Sequence, residues 1–314
     1  MKTAFLFPGQ GAQTVGMCKD IVGAYPAAAE IFRKADEIVG YELSKVCFEG
    51  PAEKLNMTAI SQPAIFTASA AILQVLRTES ATSDITPDIT AGLSLGEYSA
   101  LYAAGVISFE DGLSLVRERG SAMQAAADAT EGAMVGIIGL DEEKTRQVCE
   151  QARQGQLLEP VNFNCPGQIV VSGDVAACDR AAELATQQGA IKAVKLDVAG
   201  AFHTDMMSSA AEALRKKLES TDIVLSEQPK IIANVNAEYY QSSEEIVDGL
   251  TNQLTNPILW QKCMERLLAD GVEKYYEIGP GRVLTGLARR INRKTRVINI
   301  SSAESLNKVL QATA

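Results

Sequence analysis

Residues 89–105, ITAGLSLGEYSALYAAG, read as a short apolar strand, a sharp turn at Gly92-Leu93-Ser94-Leu95-Gly96, and a helix that stops at Gly105. A strand that runs into a helix through a glycine-flanked serine is the context in which a GxSxG turn exposes a hydroxyl. The glycines permit the tight backbone. The N–H that follows the serine, at Leu95, joins the positive end of the helix in facing a reacting carbonyl. The stretch predicts an α/β fold with Ser94 as a candidate nucleophile.

Outward from this turn, strands and helices alternate. AFLF at 4–7 is a buried strand ended by Pro8-Gly9. PAAAEIFRKADEIVG, 26–40, is a helix with Pro in its first turn and Gly at its end. An alanine-rich helix is expected over 63–79, and Ser108 with Asp111 resembles a capping box for a helix over 109–126. From 133 to 198 the rhythm changes. Strand (133–140), helix (141–153), two strands around Pro166-Gly167, helix (175–189) and strand (190–198) give βαββαβ, the ferredoxin-like order. Beyond it the pattern predicts helices near 204–218, 243–254, 257–270 and 281–291, with strands at 231–235, 274–278 and 296–300.

Composition narrows the chemistry. The chain has 314 residues and a net charge of −10, which argues against nucleic acid as the main partner. Six cysteines without a CxxC pair, beside a single histidine, argue against zinc. The apolar run of MKTAFLFPGQG breaks at Pro8, too early for a signal peptide, and no stretch approaches the ~18 apolar residues of a membrane span. A cytoplasmic protein with reduced thiols is expected. The single histidine, His203 in Gly200-Ala201-Phe202-His203, is the one imidazole available as a base for Ser94.

The motifs together resemble the malonyl-CoA:acyl-carrier-protein transacylase family over nearly the whole chain. They are FPGQGAQ (7–13), GLSLGEYSA (92–100), RERG (117–120), GAMVGIIGL (132–140), VNFNCPGQIVVSG (161–173), GAFH (200–203), QLTNPILW (253–260) and EIGPGRVLTGL (277–287). The resemblance implies an α/β-hydrolase-like large subdomain, 1–128 plus 202–314, with a ferredoxin-like subdomain, 129–201, inserted in it. The active site is then expected in the cleft between them. It implies that malonyl passes from coenzyme A to Ser94 and on to the phosphopantetheine thiol of acyl carrier protein, in fatty-acid or polyketide synthesis. His203 would be the base, and Gln253 would accept its other ring N–H. The N–H groups of Gln10 and Leu95 would form the oxyanion hole. Arg119 would pair with the malonyl carboxylate through its planar fork, and Phe202 would narrow the acyl pocket. A monomer without metal or redox cofactor is expected.

One position departs from the family pattern: Leu93 stands where a histidine usually precedes the nucleophile. The rival readings are an acyl-thioester hydrolase using the same Ser94 and His203, and a silent carrier-binding scaffold. A buried cation at Arg119 is of no use to a site for long neutral acyl chains. Arg282, Arg289, Arg290, Arg293, Lys294 and Arg296 form a basic cluster in an acidic chain. It is either a solvated helix end or a landing patch for acidic carrier protein and coenzyme A phosphates.

Overall fold

The computed structural model describes residues 1–79 and 85–313. Nine strands form two sheets among these residues: β1 (Lys2–Phe7), β2 (Ile89–Gly92), β3 (Gly132–Ile138), β4 (Leu158–Cys165), β5 (Gln168–Asp174), β6 (Lys192–Lys195), β7 (Lys230–Ile231), β8 (Val272–Ile278) and β9 (Val297–Ile300). The first sheet has the order β7-β2-β1-β8-β9, and all of its pairings are parallel. β1 from Thr3 onward and all of β2 are buried, as expected where helices cover both faces, while β8 carries Glu273 and Lys274 at its start and the buried Glu277 near its end. The second sheet, β4-β5-β3-β6, is antiparallel, with its two helices (Glu142–Arg153 and Val175–Gln187) packed on one apolar cluster. This is the ferredoxin-like arrangement expected from the βαββαβ order. All of its strands lie between residues 132 and 195.

Register positions the site. Phe7 pairs with Gly92, so β1 and β2 end side by side, and the Leu93 N–H donates to the Phe7 carbonyl at 3.1 Å. The Pro8-Gly9-Gln10 turn therefore lies against the Ser94 turn, at the carboxyl ends of the strands where open α/β sheets bind ligands. Backbone also ties β4 to the segment that follows Gln253. Ile258 N–H donates to Val161 O (2.7 Å) and Phe163 N–H to Ile258 O (2.9 Å), a parallel bridge between β4 and the large subdomain.

Several expectations change. The helix expected from Pro63 begins at Thr58 and runs to Thr78, with Pro63 inside it. Almost every side chain from Thr58 to Leu76 is buried, and that packing overrides the single hydrogen bond a proline forfeits. This helix has 21 residues and a window of mean hydropathy 1.5, long and apolar enough to cross a membrane, contrary to the sequence expectation; 83% of that window is buried inside the protein. The strand expected over 231–235 shortens to Lys230–Ile231, because the Asn234 N–H leaves the ladder for the carboxylate of Glu97. The strand expected over 190–198 spans only Lys192–Lys195. Short helices at Lys19–Ala24, Leu43–Glu49 and Ala52–Asn56, and a C-terminal helix at Ala303–Thr313, carry weak periodic signals and were not anticipated. The Ser108 cap holds as expected: the Asp111 N–H donates to its Oγ at 2.9 Å.

Candidate active site

The nucleophile turn is built from close backbone contact. A Cβ added at Gly92 would lie 1.9 Å from the Gly96 backbone, so only glycine lets the strand end and the helix start approach this closely. Ser94 itself has φ 50°, and His203 has φ 62°. Non-glycine residues in the left-handed region cost free energy and persist where the surroundings hold them. What holds Ser94 is Asn234. Its Oδ1 accepts the Ser94 N–H at 2.6 Å, and its Nδ2 donates to the Gly92 carbonyl at 2.8 Å. The amide thus clamps both sides of the turn as a neighbouring strand would.

Ser94 Oγ lies 3.1 Å from His203 Nε2, and His203 Nδ1 lies 2.6 Å from the main-chain carbonyl of Gln253. A carbonyl only accepts, so Nδ1 carries the proton and Nε2 offers its lone pair to Ser94. The sequence-predicted pair, 109 residues apart, is thus brought together. Gln253 meets the imidazole through its main chain, while its side chain serves elsewhere.

Arg119 is 1% exposed and forms no ion pair among the described residues. Its Nη2 donates to Ser94 Oγ (3.0 Å) and Gln253 Oε1 (2.9 Å), its Nη1 donates to Gln62 Oε1 (2.7 Å), and its Nε finds no acceptor. The guanidinium also lies over the Tyr98 ring, 5.6 Å from the centroid. A buried cation held only by neutral acceptors, with a donor left over, favours an anion beside it.

The cleft offers about 180 Å³ of space to water-sized groups. One wall comes from the loops after β1 and β2, with Gln10, Ser94 and Leu95, and from the segment after β6, with Phe202 and His203. The facing wall comes from the ferredoxin-like sheet: Met134, Asn162, Asn164, Gln168 and Val170. The N–H groups of Gln10 and Leu95, both at the cleft, make no hydrogen bond to another described residue and are free to donate. Phe202 is buried and lines the cleft beside the base. Leu93, at the departing position, lines the cleft and packs on the apolar cluster of the large subdomain.

The basic cluster sits at one rim. Val283 and Leu287 of the helix Val283–Ile291 line the cleft, and Arg290 reaches Gln168 of the facing wall at 2.7 Å. Arg282, Arg289, Arg290, Arg293, Lys294 and Arg296 are all exposed, and none forms an ion pair with a described residue. Arg289 and Arg290 also fall in the last turn of that helix, where its dipole welcomes cations.

Sequence reasoning missed Asn234, Glu97, Tyr240 and Gln62. Glu97 carries a signal that was available, as the one charged residue in the otherwise apolar helix Gly96–Ala103. Asn234 and Gln62 carry none, because nothing local marks a polar residue that acts on a turn far away in the chain.

Burial first, and then the Arg119 charge, push the His203 pKa down to about 3. The base is therefore neutral at every pH above that value. Acyl-enzyme formation is expected to show no acid limb near the ordinary histidine value of ~6.5. Quenched-flow intact mass between pH 4.5 and 8 measures this. A limb centred near 6.5 that persists in Glu97→Gln would give His203 an ordinary pKa and overturn the expectation. The same depression weakens the fold as pH falls from about 6.5 towards 3, since the unfolded chain takes the proton first.

Comparison with known proteins agrees with this geometry. Residues 4–310 match the acyl transferase domain family. The chain is 44% identical over 311 residues to the malonyl CoA-acyl carrier protein transacylase of Bacillus subtilis (strain 168), covering 99% of this chain and 96% of that one. It is 42% identical over 305 residues to the Escherichia coli (strain K12) protein of the same name, covering 97% and 96%. Among solved structures, a malonyl-transacylase in complex with its type II PKS acyl-carrier protein superposes with TM-score 0.94 at 40% identity, over 99% of this chain and 100% of that one. An acyl carrier protein S-malonyltransferase from Vibrio cholerae gives 0.93 at 41%, over 98% and 100%. With the nucleophile turn, its histidine and the two-sheet cleft all in place, the chain belongs to the acyl transferase domain family, among the malonyl CoA-acyl carrier protein transacylases.

Proposed function

We propose that this protein transfers malonyl from malonyl-CoA to the phosphopantetheine thiol of acyl carrier protein, in fatty-acid or polyketide synthesis. The observation that carries the reading is Arg119, a buried guanidinium with no carboxylate partner, hydrogen-bonded to the nucleophile itself. A malonyl group brings the missing carboxylate to that point; a neutral acyl chain does not.

The steps follow from the atoms. Ser94 Oγ attacks the thioester carbonyl carbon as its proton passes to His203 Nε2. The negative charge that develops on the carbonyl oxygen is met by the Gln10 and Leu95 N–H groups. The Gln253 carbonyl supports the imidazolium through Nδ1–H. The C–S bond breaks, and His203 returns the proton to the departing coenzyme A sulfur. The carrier thiol then enters, gives its proton to His203 and attacks the Ser94 ester. The Ser94 oxygen leaves and recovers the proton. The one Ser94–His203 pair serves both the donor and the acceptor thiol, so the two arms alternate in a ping-pong cycle.

Intact-mass analysis tests the reading. Malonyl-CoA alone should add one malonyl to the protein, and carrier protein should then remove it as malonyl-carrier. Rapid loss to water without transfer would make the protein a hydrolase, and no adduct at all would make it a scaffold.

The exposed cations at the cleft rim are proposed to dock the acidic carrier. Reversing Arg289 and Arg290 to glutamate is expected to raise the carrier KM by about tenfold at low salt and less at high salt, with acylation by malonyl-CoA changed less. An unchanged carrier KM at low ionic strength would leave the cluster a solvated helix end.

A further inference from the structure

Glu97 lies three residues after the nucleophile, on the inner face of the helix Gly96–Ala103. It is 1% exposed and outside the cleft. Its Oε1 accepts from the Tyr240 hydroxyl. Its Oε2 accepts from the Asn234 N–H (3.1 Å) and from Gln253 Nε2 (2.8 Å). Gln253 Nε2 also donates to the Ser94 carbonyl at 3.2 Å, and Gln253 Oε1 accepts from Arg119. The carboxylate thus touches none of the reacting atoms, yet it is one side chain away from Arg119 and one residue's backbone away from His203.

A glutamine amide can turn over, and its two orientations differ only in where oxygen and nitrogen lie. Turned over here, Gln253 would present its NH₂ to Arg119, which can only donate, and its oxygen to the Ser94 carbonyl and Glu97, which accept. We propose that Glu97 is a positioning residue for acyl-group choice: by fixing the Gln253 amide it holds the Arg119 guanidinium at the nucleophile while keeping a carboxylate out of direct contact with that cation. A direct Glu–Arg pair would fill the fork that a malonyl carboxylate needs. The interposed neutral amide supplies an acceptor and leaves the cation open. The inference rests on the reading of Arg119 as the malonyl clamp.

The bonding matters here more than the charge. Burial lifts the Glu97 carboxyl to about 7, and in either protonation state Oε2 remains an acceptor for Gln253. The Tyr240 hydroxyl can turn from donor to acceptor to match. A glutamine at 97 offers the same pattern, with its oxygen towards Gln253 and its NH₂ towards Tyr240.

The test compares kcat/KM for acylation by malonyl-CoA and by acetyl-CoA in the full chain, with a melting curve for each variant. The unmodified protein comes first: if it forms no malonyl ester, the functional reading fails and not this inference. In Glu97→Ala the malonyl-to-acetyl ratio is expected to fall about tenfold or more, the scale of losing a buried hydrogen bond to a charged group. In Glu97→Gln it is expected to stay within about threefold of the starting ratio. In an Arg119→Ala background, Glu97→Ala should change the ratio no further, since the effect runs through Arg119. A retained ratio in folded Glu97→Ala overturns the proposal, as does an undiminished fall in the double variant. So does a tenfold fall in Glu97→Gln, which decides the matter alone should Glu97→Ala not fold.

Discussion

Ser94→Ala is expected to leave no acyl-enzyme. Incubated with malonyl-CoA, the variant should keep its unmodified mass, and transfer to carrier should fall by about 10⁴-fold or more. The fold should survive. Alanine at φ 50° is strained much as serine is, and the Asn234 clamp acts on backbone groups that the substitution keeps. What disappears is the oxygen on which His203 Nε2 and Arg119 Nη2 converge. Among the described residues, His203 Nε2 makes no hydrogen bond to another nucleophile. The measurement is intact mass with a melting curve as control. A malonyl adduct of equal yield in Ser94→Ala would place the nucleophile elsewhere and dissolve the catalytic assignment.

Arg119→Ala is expected to lower kcat/KM for malonyl-CoA between about 30-fold and a few thousand-fold, the range that corresponds to the ~2–5 kcal/mol lost when one partner of a buried charge pair is removed. Acetyl-CoA brings no carboxylate, so it loses none of that pairing. It will still lose something, because the truncation strips Gln62 Oε1 and Gln253 Oε1 of their donor and removes the bond to Ser94 Oγ. The diagnostic is therefore the ratio between the two substrates. A ratio that shifts towards acetyl by tenfold or more supports the clamp. If both activities fall by the same factor, Arg119 organises the nucleophile without choosing the acyl group.

The Ser94–His203 pair was legible for a local and a compositional reason. Glycines around Ser94 announce a tight turn, and one histidine leaves one base. The parallel sheet was legible at β1 and β2, short apolar runs that end in glycine-marked turns, and the ferredoxin-like insert because its elements alternate at regular spacing. The polar frame behind the site was not legible. Asn234 reaches Ser94 across 140 residues, and Gln62 reaches Arg119 across 57. A side chain whose role is set by a distant partner leaves no periodic trace. The same cause hid the truncated strand at 231–235: its pattern is that of a strand, but Glu97 captures the Asn234 N–H that would have continued the ladder. Pro63 misled in the other direction, since a proline that looks like a helix start is carried inside a helix by burial on every side.

The bridge between β4 and Ile258 bears on how this protein can be re-engineered. A chimera that exchanges only the stretch between the two halves of the large subdomain has to re-form a backbone bridge anchored five residues beyond Gln253. That bridge, with the Arg290–Gln168 bond, helps to set the depth of the Asn162 and Asn164 positions against Ser94. A graft that preserves alignment has to take the Gln253–Ile258 segment with it. That segment includes the residue that holds both the imidazole and the guanidinium. With Arg119 as the proposed clamp, acyl-group choice is expected to follow this segment and not the small subdomain alone.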